Sequence, residues 1–243
     1  MVRYSAFLEV ADDGLCMAHI LALPGCIARA PTQAEALRQL PHAIRDYHDW
    51  LRRHDEAAPP LEEPLEIALA DMSAGFGPFR PGDAAALFAP DRQPITPDEI
   101  DDHLRLMSYS RADLLALVRA LPDHVLDWQP DAQSFSIRRL LRHIGNAEEW
   151  YVSRIAAPET LPPEWEHDED MPLMNFLEME RRTAEARLRQ FTEVERSQVF
   201  YPQRWTQHPE EPWTARKVMR RCLEHEREHT AQIRRMLERY QGK

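Results

Sequence analysis

Glycine is scarce in this chain of 243 residues, with seven in all. That argues against a glycine-rich loop cradling a phosphate, and no nucleophile elbow or Ser/His/Asp arrangement is visible. Cysteine is scarcer still. Cys16, Cys26 and Cys222 form an odd, widely spaced set, neither a disulfide ladder nor a C-x-x-C metal knuckle. Reduced thiols in a reducing compartment fit this usage. No window approaches the roughly 20 uninterrupted apolar residues that a membrane span needs, and the start at Met1 runs into Arg3 and Glu9 rather than an apolar signal core. The expectation is a soluble, cytoplasmic protein. Lysine is nearly absent: of 30 basic residues only Lys217 and Lys243 are lysine. Excess positive charge is absent too, since the net charge of -11 argues against duplex nucleic acid as the main partner.

What is present is 43% hydrophobic residues, enough to bury one large core or two modest ones. Residues 3–10 and 15–22 read as strands joined by Asp12-Asp13-Gly14, a hairpin signal. Leu23-Pro24-Gly25-Cys26 then breaks the pattern. Thr32 opens a helix, with Glu35 at capping-box spacing. Ala36, Leu37, Leu40, Ile44, Tyr47 and Leu51 carry helical periodicity to about Arg53, and Pro41 is expected to kink or divide it. Leu65 to Leu69 offers a further strand. Between 57 and 100 stand eight acids against Arg80 and Arg92, with eight prolines and three glycines, and Gly75 to Pro94 reads as a linker.

The second half changes character at Thr96-Pro97-Asp98-Glu99, which supplies an N-cap, a proline at the first helical position and an acid at the third. A helix is expected from there to about Ala120, then others from Ser136 to Ile155, Met171 to Phe191 and Thr214 to Tyr240. Four helices of this length suggest a bundle.

The last of these carries the chemistry. Its inward stripe reads Val218, Cys222, His225, His229, Ile233 and Met236. Burying an imidazole without a partner costs about 1–3 kcal/mol, so two histidines one turn apart on an apolar stripe ask for compensation. A metal ion supplies it, because imidazoles at i and i+4 project toward a common point. His143, near the stripe of Ile137, Leu140, Leu141, Ile144 and Tyr151, is a candidate third ligand. Three neutral imidazoles would leave a position open for water or substrate, the coordination of a working site. Against this stands the plain alternative that an H-x-x-x-H pair arises by chance in a chain with 11 histidines.

Two sharper motifs compete. His225-Glu226-Arg227-Glu228-His229 satisfies the H-E-x-x-H pattern of zinc proteases, with Glu226 as the base, although Glu238 is the only late acid downstream to serve as a third ligand. Glu226 and His229 also make the Glu-x-x-His of a di-iron centre; the second copy would have to come from Glu164-Trp165-Glu166-His167, in a proline-rich connection. Cys222 could face the metal or fill the core. Glu148 and Glu226 lie near the candidate ligands in sequence, without a role that spacing assigns.

Two resemblances cover most of the chain. The run from Ser134-Phe135-Ser136-Ile137 through His143-Ile144-Gly145-Asn146 to Trp150-Tyr151 resembles the second helix of the DinB/YfiT-like superfamily. Trp213-Thr214-Ala215-Arg216-Lys217-Val218 through His225-Glu226-Arg227-Glu228-His229-Thr230-Ala231-Gln232-Ile233 resembles its fourth. The resemblance implies a four-helix bundle binding nickel, zinc or iron through His143, His225 and His229. It also implies activation of a thiol or water, as in a thiol transferase or hydrolase. Tyr4 to Val10, the Asp12-Asp13-Gly14 turn, Leu23-Pro24-Gly25-Cys26 and Thr32 to Leu37 resemble the HicB-like antitoxin fold, departing from it at Ala30-Pro31; no DNA-binding segment follows.

The resulting expectation is α+β: a HicB-like α/β domain over 1–75, a proline- and glycine-rich linker over 76–94, and a DinB-like four-helix bundle over 95–243. A metal-dependent enzyme with a small-molecule thiol as substrate is the first functional expectation. A non-catalytic module is the second, in which the bundle is a scaffold and the HicB-like domain binds protein or RNA, or pairs with a second copy of the chain.

Overall fold

In the computed structural model, which describes residues 2–61, 64–75, 86–166, 171–202 and 204–242, the alternation of the first residues becomes β1 (Val2–Val10), with both faces buried from Ala6 to Glu9. It pairs antiparallel with β2 (Cys16–His19), and Gly14 takes the positive φ of 85° that the tight turn requires. A strand not foreseen, β3 (Ile27–Ala30), pairs antiparallel with β2. Pro24-Gly25 interrupts the sequence pattern, yet Gly25 turns the chain at φ 86° and returns it to the sheet.

Helix α1 (Gln33–Arg53) starts at Thr32, whose hydroxyl accepts the Glu35 amide. It runs from Gln33 to Arg53 through Pro41, so of the expected kink or division the division does not occur. The proline removes one intrahelical bond, but Leu40, Ile44 and Tyr47 are buried around it and their packing holds the helix together. The chain then returns as β4 (Leu65–Ala74), longer than expected and parallel to β1, with Ala70 bulged out of register. Strand order is β3-β2-β1-β4, the parallel pair being joined by the crossover that its direction demands.

Of the segment read as a linker, residues 76–85 lie outside the described residues. Ala86 and Phe88 are buried against Phe7, and a short 3-10 turn spans Ala89–Arg92. Ala86 and Phe88 are thus core of the N-terminal unit, clustered with Phe7 and Leu21, rather than linker. The chain divides into two compact units after Arg92.

In the second unit Thr96 and Glu99 form a reciprocal capping box at the start of α2 (Pro97–Val118). A short α3 (Asp123–Leu126) precedes α4 (Ile137–Val152), capped by Ser136. Then come α5 (Leu173–Arg189), a short α6 (Glu193–Ser197) with its own capping box at Thr192, and α7 (Ala215–Gln241), capped by Thr214. The four long helices pack as a bundle, α4 against α5 and α7, and α2 against α7 and α5. One end of its core is apolar, built from Leu114, Leu141, Ile144, Phe176, Leu177 and Ile233 among others. Gly145 lets α4 and α5 approach closely: a Cβ there would lie 2.3 Å from the Phe176 ring. Among the described residues no helix is long and apolar enough to cross a membrane.

Candidate metal centre

The stripe read from α7 is buried in full: Val218, Cys222, His225, His229, Ile233 and Met236 all face the bundle interior. One helical turn separates His225 from His229, and their ring centroids lie 4.4 Å apart. Across the bundle α4 brings His143 to both, with centroids 4.8 Å from His225 and 5.0 Å from His229. One donor nitrogen of each ring lies within 4.8 Å of the others. His225 and His229 are 3% and 2% exposed, and His143 is the most open of the three.

Three observations show that these rings suit a cation. First, Nε2 of His225 and Nε2 of His143 face each other at 3.0 Å, close to the separation of about 3.3 Å that two imidazoles adopt when each binds one zinc ion tetrahedrally at 2.0–2.1 Å. Second, the Nδ1–H of His229 donates to Oε1 of Gln232 at 2.8 Å. That bond fixes the tautomer and turns the lone pair of Nε2 inward, where Nε2 is buried with no hydrogen-bond partner among the described residues. Third, both buried rings are held neutral, as ligands must be. Burial, then the neighbouring His229 and His143, push His225 well below the usual histidine range. Burial and His143 bring His229 to about 4 against the opposing Gln232 bond.

The other motif readings do not survive the geometry. Glu226 turns away from the histidines: its carboxylate accepts from Arg111 Nε at 2.8 Å and Arg181 Nη2 at 3.0 Å. Burial alone would raise its pKa, but the two guanidiniums override it and hold the group below the usual carboxylate range. It is therefore neither a zinc-protease base nor a di-iron ligand. Glu164 and Glu166 lie in a 3-10 turn over Pro163–Glu166, and His167 is outside the described residues. Cys222 is not part of the histidine group; buried, and facing the charge of Glu148, its thiol is pushed well above the ordinary value despite Arg181 and Arg221, which leaves it a core thiol.

The sequence reading missed the second layer. Gln232 had a signal in retrospect, one turn after His229 on the same face. Tyr151 stands edge-on to His225 at 5.7 Å between centroids, and its oxygen accepts from Arg221 Nη2 at 3.4 Å. Arg221 is itself fully buried and bonded to Glu224 at 2.7 Å. Among the described residues the remaining histidines do not gather around this centre: His19 lies beside Glu9 and Phe88 in the N-terminal unit, and His103 bonds the carbonyl of Glu99.

Two sequence comparisons agree with this two-part architecture. Residues 106–233 match the family model of the DinB superfamily, a span that contains α4 and α7 up to Ile233. The N-terminal part is 34% identical over 58 residues to UPF0150 protein Ta0767 of Thermoplasma acidophilum, covering 24% of this chain and 84% of that protein. A solved structure, YfiT from Bacillus subtilis, titled a probable metal-dependent hydrolase with an unusual four-helix bundle topology, superposes with a TM-score of 0.45 at 18% identity, over 60% of this chain and 90% of that one. The chain thus joins an N-terminal UPF0150 module, HicB-like in its fold, to a helical bundle, and through that bundle it belongs to the DinB superfamily.

Proposed function

We propose that the bundle binds one divalent cation, nickel, zinc or iron, through His143, His225 and His229 and is a metal-dependent enzyme acting on a water or a thiol. The chief support is the buried Nε2 of His229, which has no hydrogen-bond partner among the described residues and is aimed at two further imidazole nitrogens. Leaving such an atom dry and unpaired costs about 1–3 kcal/mol, a cost that a coordinated cation would remove.

When bound, a divalent ion with three neutral ligands supplies Lewis acidity that lowers the pKa of a coordinated water or thiol toward neutrality. Everything else falls to the chain. His225 and His229, kept neutral by burial, offer lone pairs without first having to lose protons at pH 7. Gln232 holds the His229 ring in one orientation. Tyr151 packs against the His225 ring and limits its rotation. His143, the least buried, marks the side from which substrate would approach. Because no carboxylate among the described residues joins the donor group, the charge of the ion would stay uncancelled by those residues, which favours an anionic partner such as hydroxide or thiolate.

Elemental analysis of protein purified without a metal-binding tag tests the proposal directly. About one equivalent of nickel, zinc or iron in the parent, and none in His225→Ala or His229→Ala, is the expected result. It would justify screening the loaded protein for ester or amide hydrolysis and for transfer of low-molecular-weight thiols. Folded parent protein that takes up no metal even after reconstitution would overturn it.

A further inference from the structure

Beside the histidines, four ionised side chains close a ring through the middle of the bundle, one from each long helix: Arg111 of α2, Glu148 of α4, Arg181 of α5 and Glu226 of α7. We propose that this ring sets the register of α4 against α7 and so places His143 against His225 and His229; its members are positioning residues for the metal centre, a role that rests on the function proposed above.

The connectivity carries the argument. Glu148 Oε1 accepts from Arg111 Nη2 at 2.7 Å and from Arg181 Nε at 2.8 Å. Glu226 Oε2 accepts from Arg111 Nε at 2.8 Å and Arg181 Nη2 at 3.0 Å. Each arginine therefore bridges both carboxylates. The two helices that bear the ligands are tied through arginines from the two helices that do not. Those two are bound to each other in turn: Arg111 Nη1 donates to the Leu177 carbonyl of α5, and Arg181 Nη1 to the Met107 carbonyl of α2 at 2.6 Å. Side-chain exposure is 7% and 8% for the arginines, 4% for Glu148 and 2% for Glu226. Two positive and two negative charges cancel, although Glu148 Oε2 and Glu226 Oε1 are buried with no hydrogen-bond partner among the described residues.

A buried ion ring of this kind is a poor source of net stability, because desolvation offsets most of the attraction, and its best-attested use is to fix register. Apolar layers tolerate sliding, losing uniqueness of packing before they lose stability. The ring does not, since displacing α4 by one turn, about 5.4 Å, would leave the Glu148 carboxylate unpaired in a dry core and two guanidiniums sharing the single carboxylate of Glu226. The linkage to the metal centre is short. Glu226 follows His225 directly, and Glu148 stands five residues after His143 on the same helix. Imidazole ligands must meet a cation within a few tenths of an ångström, a precision that the leucines and isoleucines at the other end of the bundle do not enforce.

The test replaces the whole ring by apolar residues, Arg111→Met, Arg181→Met, Glu148→Leu and Glu226→Leu together, and separately replaces only the forks, Arg111→Lys with Arg181→Lys, which keeps the charges but loses the planar double bridge. Cobalt(II) is the probe. The expected result is retained helical circular dichroism, a cobalt affinity at least tenfold weaker in both variants, and altered visible absorption bands. Parent-like affinity and bands in a folded variant would overturn the proposal. A parent that binds no cobalt would count against the metal centre itself. The register claim is then read without metal, from the distance between spin labels at Asn146→Cys and Arg235→Cys, both exposed in the parent. A single narrow distance that broadens or shifts by several ångströms in the variants supports the ring's role. An unchanged distribution overturns it. Should the apolar variant fail to fold, the lysine pair gives the same readings.

Discussion

Nε2 of His143 and Nε2 of His225 stand 3.0 Å apart across the contact of α4 and α7, although 82 residues separate them in the chain. A cation bound between them, with His229 as third donor, would bind the native bundle and not the unfolded chain. Saturating metal should therefore stabilise by about 2.7 kcal/mol at one hundred times the dissociation constant, roughly 5–11 °C in the transition that reports the bundle. Calorimetry of metal-loaded and chelator-treated protein checks this. His229→Ala should erase the difference. A transition that is indifferent to verified metal removal would argue that the site, if filled at all, is not coupled to folding.

Gln232 should matter out of proportion to its exposure. Its amide oxygen is the acceptor that orients His229, and loss of such outer partners typically weakens metal affinity 10–100-fold. Gln232→Ala is expected to fall in that range, measured by competition with a chromophoric chelator, with the unfolding midpoint of the metal-free protein nearly unchanged. Gln232→Glu keeps the acceptor and should retain affinity near that of the parent.

Acid should loosen the start of the bundle through Glu99. Its carboxylate is bonded by Arg216 and by the Thr96 amide, against some desolvation, which brings its pKa to about 2. Because the folded value lies below the ordinary 4.5, the unfolded chain binds the proton more readily. The contribution is present above about pH 4.5 and is lost as pH falls toward 2. Urea midpoints of the parent and of Glu99→Gln should differ by a constant amount above pH 5 and converge toward pH 2.5. A gap that widens in acid would contradict the sign.

The helices were legible because their ends are chemically marked. Thr32 and Thr96 cap where the sequence places a cap, Ser136 and Thr214 cap where it places a helix start, and the apolar stripe of α7 carries its two histidines openly. What pattern reading assumes is that charge faces water. In α5 that assumption fails: Glu180, Arg181 and Arg187 are buried, and Arg181 is matched by carboxylates 33 and 45 residues away. Burial disfavours its charge, yet Glu148 and Glu226 hold its pKa above the ordinary value. No local spacing announces such a ring. β3 was missed for a related reason, since four residues after Pro24-Gly25 become a strand only through pairing with β2. Phe88 falls in a stretch whose composition reads as linker, because a single buried aromatic among prolines leaves no periodicity.

Gly145 offers the sharpest packing test. Alanine is the better helix former by about 1 kcal/mol, so at an exposed position Gly145→Ala would stabilise α4. Here the added methyl would sit 2.3 Å from Cε1 and 2.6 Å from Cζ of Phe176, and 3.2 Å from Cγ of Glu180. Phe176 is fully buried, with the Arg142 guanidinium 4.4 Å from its ring centroid, so it cannot swing aside. Overpacking of this kind costs about 1–3 kcal/mol, more than the propensity gain. Gly145→Ala should therefore lower the urea midpoint of the metal-free protein, and Phe176→Leu in the same chain should recover part of the loss by vacating the ring's space. A raised midpoint in the single variant would show that α4 and α5 are free to separate, and with them the side chains of Glu148 and Arg181.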